Sequence, residues 1–286
     1  MKALVGWALL SAATTPQPPP VFRAEVDLVR VEVLVTWKGA PVRGLTAADF
    51  TLRDEGRLQQ LEPVLEEEAP LDAVLVLDMS GSVRGPKLGA LKDAARAFLD
   101  GLRDGERAAL LAFREEVHLL EPLTPELARV RRELDGASSR GSTALRDAVY
   151  AGLRLREPGP RRTALVVFSD GLDNISWLAA AEVVEAASRS EAIVYGVAVR
   201  ERSEPREPFL RDVVQATGGR LFEAESERDL RARFLDILSD IRSRYVLSYA
   251  PRGADAAGWH ALDVRLRRAK GDVLARPGYW RYATAP

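Results

Sequence analysis

Three short polar runs hold the residues best suited to chemistry. They are Asp78-Met79-Ser80-Gly81-Ser82, Arg140-Gly141-Ser142-Thr143, and Ser169-Asp170-Gly171-Leu172-Asp173-Asn174. Asp78, Ser80 and Ser82 alternate along one turn, so three oxygens can converge on one point, and Gly81 permits the tight backbone. Thr143 adds a hydroxyl and Asp170 a second carboxylate. Two carboxylates and three hydroxyls approach an octahedral oxygen set for a small divalent cation. The hydroxyls are neutral, so the ion would keep residual positive charge. Such an ion would bind a carboxylate arriving from outside, which is the logic of an adhesion site rather than a closed structural one.

The composition removes most other chemistries. The chain of 286 residues has no cysteine, which excludes disulfides, thiolate zinc sites, iron–sulfur clusters and cysteine nucleophiles. It has two histidines, His118 and His260, both read as ordinary strand-edge residues, so a multi-histidine metal site is not expected. Lys and Arg number 41 against 42 Asp and Glu, a net charge of -1 that offers nucleic acid or an anionic membrane no attraction. The 47% of hydrophobic residues is too high for a disordered chain.

The polar runs need elements to carry them. Ala73 to Leu77, Ala108 to Phe113, Thr163 to Phe168 and Ile193 to Val199 are apolar throughout, as in strands buried on both faces. Between them lie helical spacings: Leu88 to Leu102, Pro125 to Leu134, Ala144 to Leu155, Trp177 to Ala187, Phe209 to Ala216, and a last helix from Leu230 to Tyr245. Leu221-Phe222 reads as a short strand. Strands alternating with helices imply a doubly wound α/β fold, a mostly parallel sheet with helices on both faces. In such a sheet, sites lie beyond the carboxyl ends of the strands, where the three polar runs stand.

Both ends of the chain read as β. Val26 to Trp37 alternates, with Val29, Val31, Val33, Val35 and Trp37 on one face. Phe50 to Arg53 and Leu58 to Val64 look like two strands around Glu55-Gly56, after which Glu66 to Pro70 breaks the pattern. Late strands are expected at Tyr245 to Tyr249, Trp259 to Leu266, Val273 to Ala275 and Tyr279-Trp280, with Trp259, Tyr279 and Trp280 suited to a β core. Neither β block can bury a core alone. One small β-sandwich built from both chain ends is therefore expected, with residues 21–69 and 246–286 its two parts and the α/β domain, 70–245, inserted.

Lys2, an apolar run from Ala3 to Leu10 and the small residues Ser11-Ala12-Ala13 form a signal-like segment, followed by the proline-rich linker Thr14 to Pro20. Residues 1–20 are thus expected to direct export, with cleavage after about residue 13 and a periplasmic or extracellular destination. The apolar run is far too short to span a membrane, and no transmembrane segment is expected.

Asp78, Ser80, Ser82, Thr143 and Asp170 match, position by position, the D-x-S-x-S … T … D pattern of the von Willebrand factor A-type (VWA) domain and its metal-ion-dependent adhesion site. The resemblance covers about Leu71 to Tyr245. It implies that the two serines ligate directly, that Asp78 acts through water, and that Thr143 and Asp170 bind directly or through water. The runs V-R-V-E-V-L-V-T, G-L-T-A-A-D-F, Y-V-L-S-Y-A-P and R-P-G-Y-W also resemble bacterial VWFA-related proteins of the Acidobacterial type. The resemblance implies a non-enzymatic, Mg2+-dependent (or Mn2+- or Ca2+-dependent) module that binds an Asp or Glu of a partner protein.

Two alternatives are weighed. One is a structural envelope or assembly protein whose metal only rigidifies a loop. The other is a phosphatase of the haloacid dehalogenase type, but that chemistry wants a second Asp two residues after the first, where this chain has Ser80. No G-x-G-x-x-G follows the first apolar strand, and no G-x-S-x-G with a partnered histidine is present. Asp173 and Asn174 read as turn formers, a supporting role being the lesser alternative for Asp173. Asp147, Arg161-Arg162 and Arg267-Arg268 are expected to face solvent.

Overall fold

The computed structural model describes residues 28–282 apart from 64, 67–68, 158, 160, 171, 200–207 and 255. The signal-like segment and linker, the start of the first expected strand, and Gly171 lie outside the described residues. β1 (Val29–Trp37) buries Val31, Val33 and Val35 on the expected face, while Trp37 at its end is exposed. Lys38 and Gly39 both have positive φ, as do Glu55 and Gly56. Each pair forms the two-residue turn that matches strand twist, joining β1 to β2 (Ala40–Pro41) and β3 (Phe50–Asp54) to β4 (Arg57–Leu58).

Of the expected strand from Leu58 to Val64, Leu58 ends β4, residues 59–63 form no strand, and Val64 lies outside the described residues. After β4 the chain crosses between two sheets: Gln59 N donates to Leu52 O, and Glu62 N donates to Ser248 O. β5 (Leu65–Glu66) then pairs in the second sheet.

β6 (Leu71–Asp78) is buried at every residue because both its faces are covered by helices. It leads into α1 (Pro86–Asp100), β7 (Arg107–Phe113), β8 (Val117–Thr124), α2 (Leu127–Gly136), α3 (Leu145–Arg154) and β9 (Arg162–Ser169). Then follow α4 (Ala180–Arg189), β10 (Ile193–Val199), α5 (Phe209–Thr217), β11 (Leu221–Ala224) and α6 (Leu230–Ile241). The strand order is β11-β10-β9-β6-β7-β8, parallel except for β8. The α/β fold expected from the sequence is present. Apolar side chains of α1, α2 and α6 pack on one face of the sheet and those of α3, α4 and α5 on the other.

Three element readings need correction. β8 is an antiparallel edge strand that the sequence reading passed over, because Glu121, Pro122 and two register shifts break its alternation. Trp177 precedes α4 and is almost fully exposed. Tyr245 does not continue α6 but opens β12 (Tyr245–Tyr249), where it pairs with Val33.

β13 (Gly258–Leu266), β14 (Asp272–Ala275) and β15 (Gly278–Arg281) complete the chain. One sheet has the order β14-β1-β12-β5, with β2 paired to β1; the other runs β15-β13-β3-β4. Each mixes strands from both ends of the chain. Val31, Val33, Val35, Phe50, Leu52, Leu247 and Tyr249 fill the space between them. His260 is not a strand-edge residue in the exposed sense. It is buried, with Nδ1 3.1 Å from Asp54 Oδ1 and Nε2 2.7 Å from the Ala256 carbonyl. Tyr249 and Tyr279 both donate to Asp54 Oδ2. Burial and the bond to Asp54 push the Tyr279 hydroxyl up to about 12.

The sandwich meets the α/β unit through arginines. Arg162 donates to Glu32 Oε2 at 2.6 Å and to the Ile241 carbonyl, so it is not on a solvated face. Arg161 likewise donates to buried Asp72 at 2.6 Å. The buried Arg244 side chain donates to the Tyr195 hydroxyl and to the Gly218 carbonyl. Arg276 donates to the carbonyls of Ser188 and Ser190 at the end of α4, where the helix dipole favours a cation. Gly218 has φ +71 and would place a Cβ 2.3 Å from the Arg276 nitrogen. Only glycine allows that approach.

Candidate functional site

β6 and β9 are parallel neighbours in register, Leu77 opposite Phe168, so Asp78 and Asp170 leave the same edge of the sheet side by side. The turn after β6 is folded by its own first residue. Asp78 Oδ1 accepts the Ser80 backbone N–H at 2.8 Å, and Oδ2 accepts the Ser169 hydroxyl at 2.9 Å. Asp78 and Ser80 are fully buried, and Ser82 is the exposed member. Burial pushes the Asp78 carboxyl up to about 6, against the hydrogen bonds from Ser80 and Ser169 that favour its charged form.

The loop before α3 is laced onto this turn. Gly81 N donates to Gly141 O at 2.9 Å, and Arg140 N donates to Met79 O at 2.9 Å. A Cβ on Gly81 would stand 3.1 Å from the Gly141 carbonyl, so the two backbones approach as closely as glycine permits. Thr143 is held by Asn174, whose Oδ1 accepts its N–H at 3.0 Å and whose N–H donates to its carbonyl at 3.1 Å. Asn174 therefore positions Thr143 and is more than a turn former.

Four of the five expected residues form one chain of polar contacts. From Asp78 and the Ser80 backbone it passes to the Ser80 hydroxyl, 2.9 Å from the Ser82 hydroxyl. Ser82 in turn donates to Asp170 Oδ1 at 2.8 Å. The fifth, Thr143, is pinned beside them by backbone bonds, and its hydroxyl bonds to none of the other four. Neighbouring ligands of an octahedral ion at about 2.1 Å stand about 3.0 Å apart. The Ser80–Ser82 and Ser82–Asp170 spacings fit that edge. Among the described residues, no cluster of three or more His, Asp or Glu is placed to hold a metal ion. The donor set here is instead two carboxylates with hydroxyls, which suits a hard cation and no soft one.

One neighbour was not foreseen. Lys87, in the first turn of α1, places Nζ 2.5 Å from Asp170 Oδ2. Its signal in the sequence is a cation at a helix N-terminus, the end that disfavours it. Asp173 carries the supporting role weighed as its lesser alternative. It accepts Arg146 N at 2.8 Å, Arg146 Nη2 at 2.7 Å and the Ser176 hydroxyl at 2.5 Å. Burial raises its carboxyl, but the bonds from Arg146 and Ser176 outweigh that and hold it below the ordinary range. Asp147 is not simply solvent-facing: it accepts the N–H groups of Trp177 and Leu178. Residues 173–178 are thus well bonded, yet Leu172, Ile175 and Trp177 face solvent, the last at 95% exposure.

A helix-covered parallel sheet with this polar cluster at its carboxyl edge defines a class, and sequence comparison agrees: residues 73–172 match the von Willebrand factor type A domain model. Residues 73–172 thus carry a match to the VWA domain, on a fold of that type. The human voltage-dependent calcium channel subunit alpha-2/delta-3 is 37% identical over 54 residues, 19% of this chain and 5% of that protein. The chain spans 5% to 26% of the length of the curated relatives it matches. A von Willebrand factor type A structure from Catenulispora acidiphila is 14% identical with a TM-score of 0.56, over 91% of this chain and 76% of that one. The vWF domain of a type V pili tip protein from Porphyromonas gingivalis is 12% identical with a TM-score of 0.50, over 59% and 94%. At these identities the fold is what is shared. Among the described residues no helix is long and apolar enough to cross a membrane.

Proposed function

We propose that this chain is a non-enzymatic protein-binding module that recognises an acidic residue of a partner protein through a divalent cation. Asp78, Ser80, Ser82, Thr143 and Asp170 would hold the ion, with Mg2+ favoured over Mn2+ or Ca2+ by the compact, hydroxyl-rich donor set. The observation that carries this reading is the convergence of the Ser80, Ser82 and Asp170 oxygens, in contact at 2.9 and 2.8 Å at the carboxyl edge of the sheet. When bound, the ion would supply a Lewis-acidic position that a carboxylate can fill. The chain's own part is to hold the oxygens in place before the ion arrives: Ser80 N and Ser169 fix Asp78, and Asn174 fixes Thr143. The exposed Leu172, Ile175 and Trp177 beside Asp170 offer apolar contact area of the kind protein interfaces use.

The same reading places the protein outside the cytoplasm. The signal-like start supports export to the periplasm or beyond, and the pilus-tip neighbour supports an adhesive or scaffolding role. The flanking β motifs support a place among bacterial VWFA-related proteins. The domain division 21–69, 70–245 and 246–286 belongs to this proposal, supported by strand pairing between the two ends.

The test is titration with Mn2+, followed by capture of partner from native envelope extract with Mg2+ or with chelator. One Mn2+ should bind wild type and none should bind Asp78→Asn. Chelator and Asp78→Asn should both abolish capture. Capture indifferent to both would sink the adhesion reading and leave the structural one. N-terminal sequencing of native material should begin near residue 14.

A further inference from the structure

We infer that Lys87 is a tethered cation that occupies Asp170 when no metal is bound and must leave it when a divalent ion arrives, so that the lysine sets how tightly the site holds metal. The inference rests on the metal-site reading above. Asp170 has two oxygens and both are engaged: Oδ1 takes the Ser82 hydroxyl, and Oδ2 takes the Lys87 ammonium at 2.5 Å. The Asp170 side chain is fully buried and Lys87 is 17% exposed. The carboxylate is therefore fixed, whereas the lysine has a route to solvent along its flexible four-carbon stem.

Lys87 gains nothing from its helix. α1 begins at Pro86, with no acidic residue in its first turn, so the ammonium sits at the positive end of the dipole. Asp170 is a favourable partner for it. A divalent ion beside Ser80, Ser82 and Asp170 would stand within a few ångströms of Nζ, and two cations that close in a half-buried site repel strongly. Metal entry and the Lys87–Asp170 contact are mutually exclusive, or nearly so. The lysine then keeps the buried Asp170 carboxylate compensated in the metal-free protein and lowers metal affinity. A partner carboxylate, by neutralising the ion, recovers what displacement of the lysine costs. The arrangement favours metal and partner binding together over metal binding alone.

The test compares Mn2+ affinity, read by electron paramagnetic resonance, in wild type, Lys87→Met and Lys87→Arg. Lys87→Met should bind Mn2+ about tenfold more tightly or better. Lys87→Arg keeps the charge and should stay close to wild type. Equal or weaker binding by folded Lys87→Met overturns the inference. If neither wild type nor Lys87→Met binds Mn2+, the metal-site reading itself fails, and the inference with it. A second measurement needs no variant: acetylation of Lys87 by an amine-reactive ester, followed by mass spectrometry. Mg2+ should raise Lys87 modification relative to the other lysines as the ammonium is released. Unchanged modification in Mg2+-saturated protein would count decisively against displacement.

Discussion

Asp78 stands at the end of a fully buried strand, and its charge is opposed by its surroundings. Two groups depend on it, the Ser80 N–H and the Ser169 hydroxyl. Replacing it with alanine strands the Ser80 N–H and takes one partner from the Ser169 hydroxyl, at a cost of about 1–3 kcal/mol. Asparagine keeps an acceptor for Ser80 N–H and a polar partner for the rotatable Ser169 hydroxyl while removing a charge that burial disfavours. Asp78→Asn should therefore stay within about 1 kcal/mol of wild type in urea unfolding at neutral pH, whereas Asp78→Ala should not. Equal destabilisation by both would show that the carboxylate charge, and not its hydrogen bonding, holds the turn.

At the scale of elements, two pieces separate stability from recognition. The loop from Asp173 to Leu178 is held by partly buried bonds, but Ile175 and Trp177 face water. Asp173→Ala leaves Arg146 and Ser176 without their carboxylate and should cost roughly 2–4 kcal/mol. Trp177→Ala should leave stability within about 0.5 kcal/mol of wild type and weaken partner capture. A large loss of stability from Trp177→Ala would mean that the loop itself needs the indole.

The second piece is the tie between the start of β7 and the end of α6. Arg242 grips Glu106 through both nitrogens, at 2.5 and 2.7 Å, and Arg103 N adds a bond at 2.7 Å. Burial acts to raise the Glu106 carboxyl, but the Arg242 and Arg103 interactions outweigh it and lower it. A carboxyl lowered by folding contributes stability above the ordinary carboxylate range, and that stability is lost as pH falls through the depressed value. Between pH 7 and acid, wild type should lose more stability than Glu106→Gln. Parallel pH profiles for the two proteins in denaturant unfolding would rule the tie out as an acid-sensitive point.

For the whole molecule, the decisive feature is that both sandwich sheets are woven from the two chain ends. β1 lies between β12 and β14, and β3 pairs with β13. A chain ending at Tyr245 would lose the strand partners of Val31, Val35 and Leu52 and one of the two partners of Val33, and proteases should remove residues 28–63 from it. Their survival as a resistant unit would mean that the N-terminal strands fold without the C-terminal ones. The Glu32–Arg162, Arg244–Gly218 and Arg276–Ser190 contacts couple this sandwich to the end of the α/β sheet opposite Asp78 and Asp170.

Fold class was legible because burial on two faces leaves a plain mark: Ala73 to Leu77 and Thr163 to Phe168 have no polar face to hide. The gathering of the three polar runs at one sheet edge was legible because runs that follow such strands leave the sheet at its carboxyl end. Edge and crossing segments were not. β8 mixes Glu121 and Pro122 into a strand, and residues 59–63 pass from one sheet to another, so neither keeps a period. Charge pairing was also hidden. Lys87 and Asp170 lie 83 positions apart, and His260 and Asp54 lie 206 apart. Local patterning determines which residues leave water, because periodicity is a property of neighbours along the chain. Which buried charge meets which is decided only when distant strands and helices pack, because a charge taken out of water needs its partner within a few ångströms.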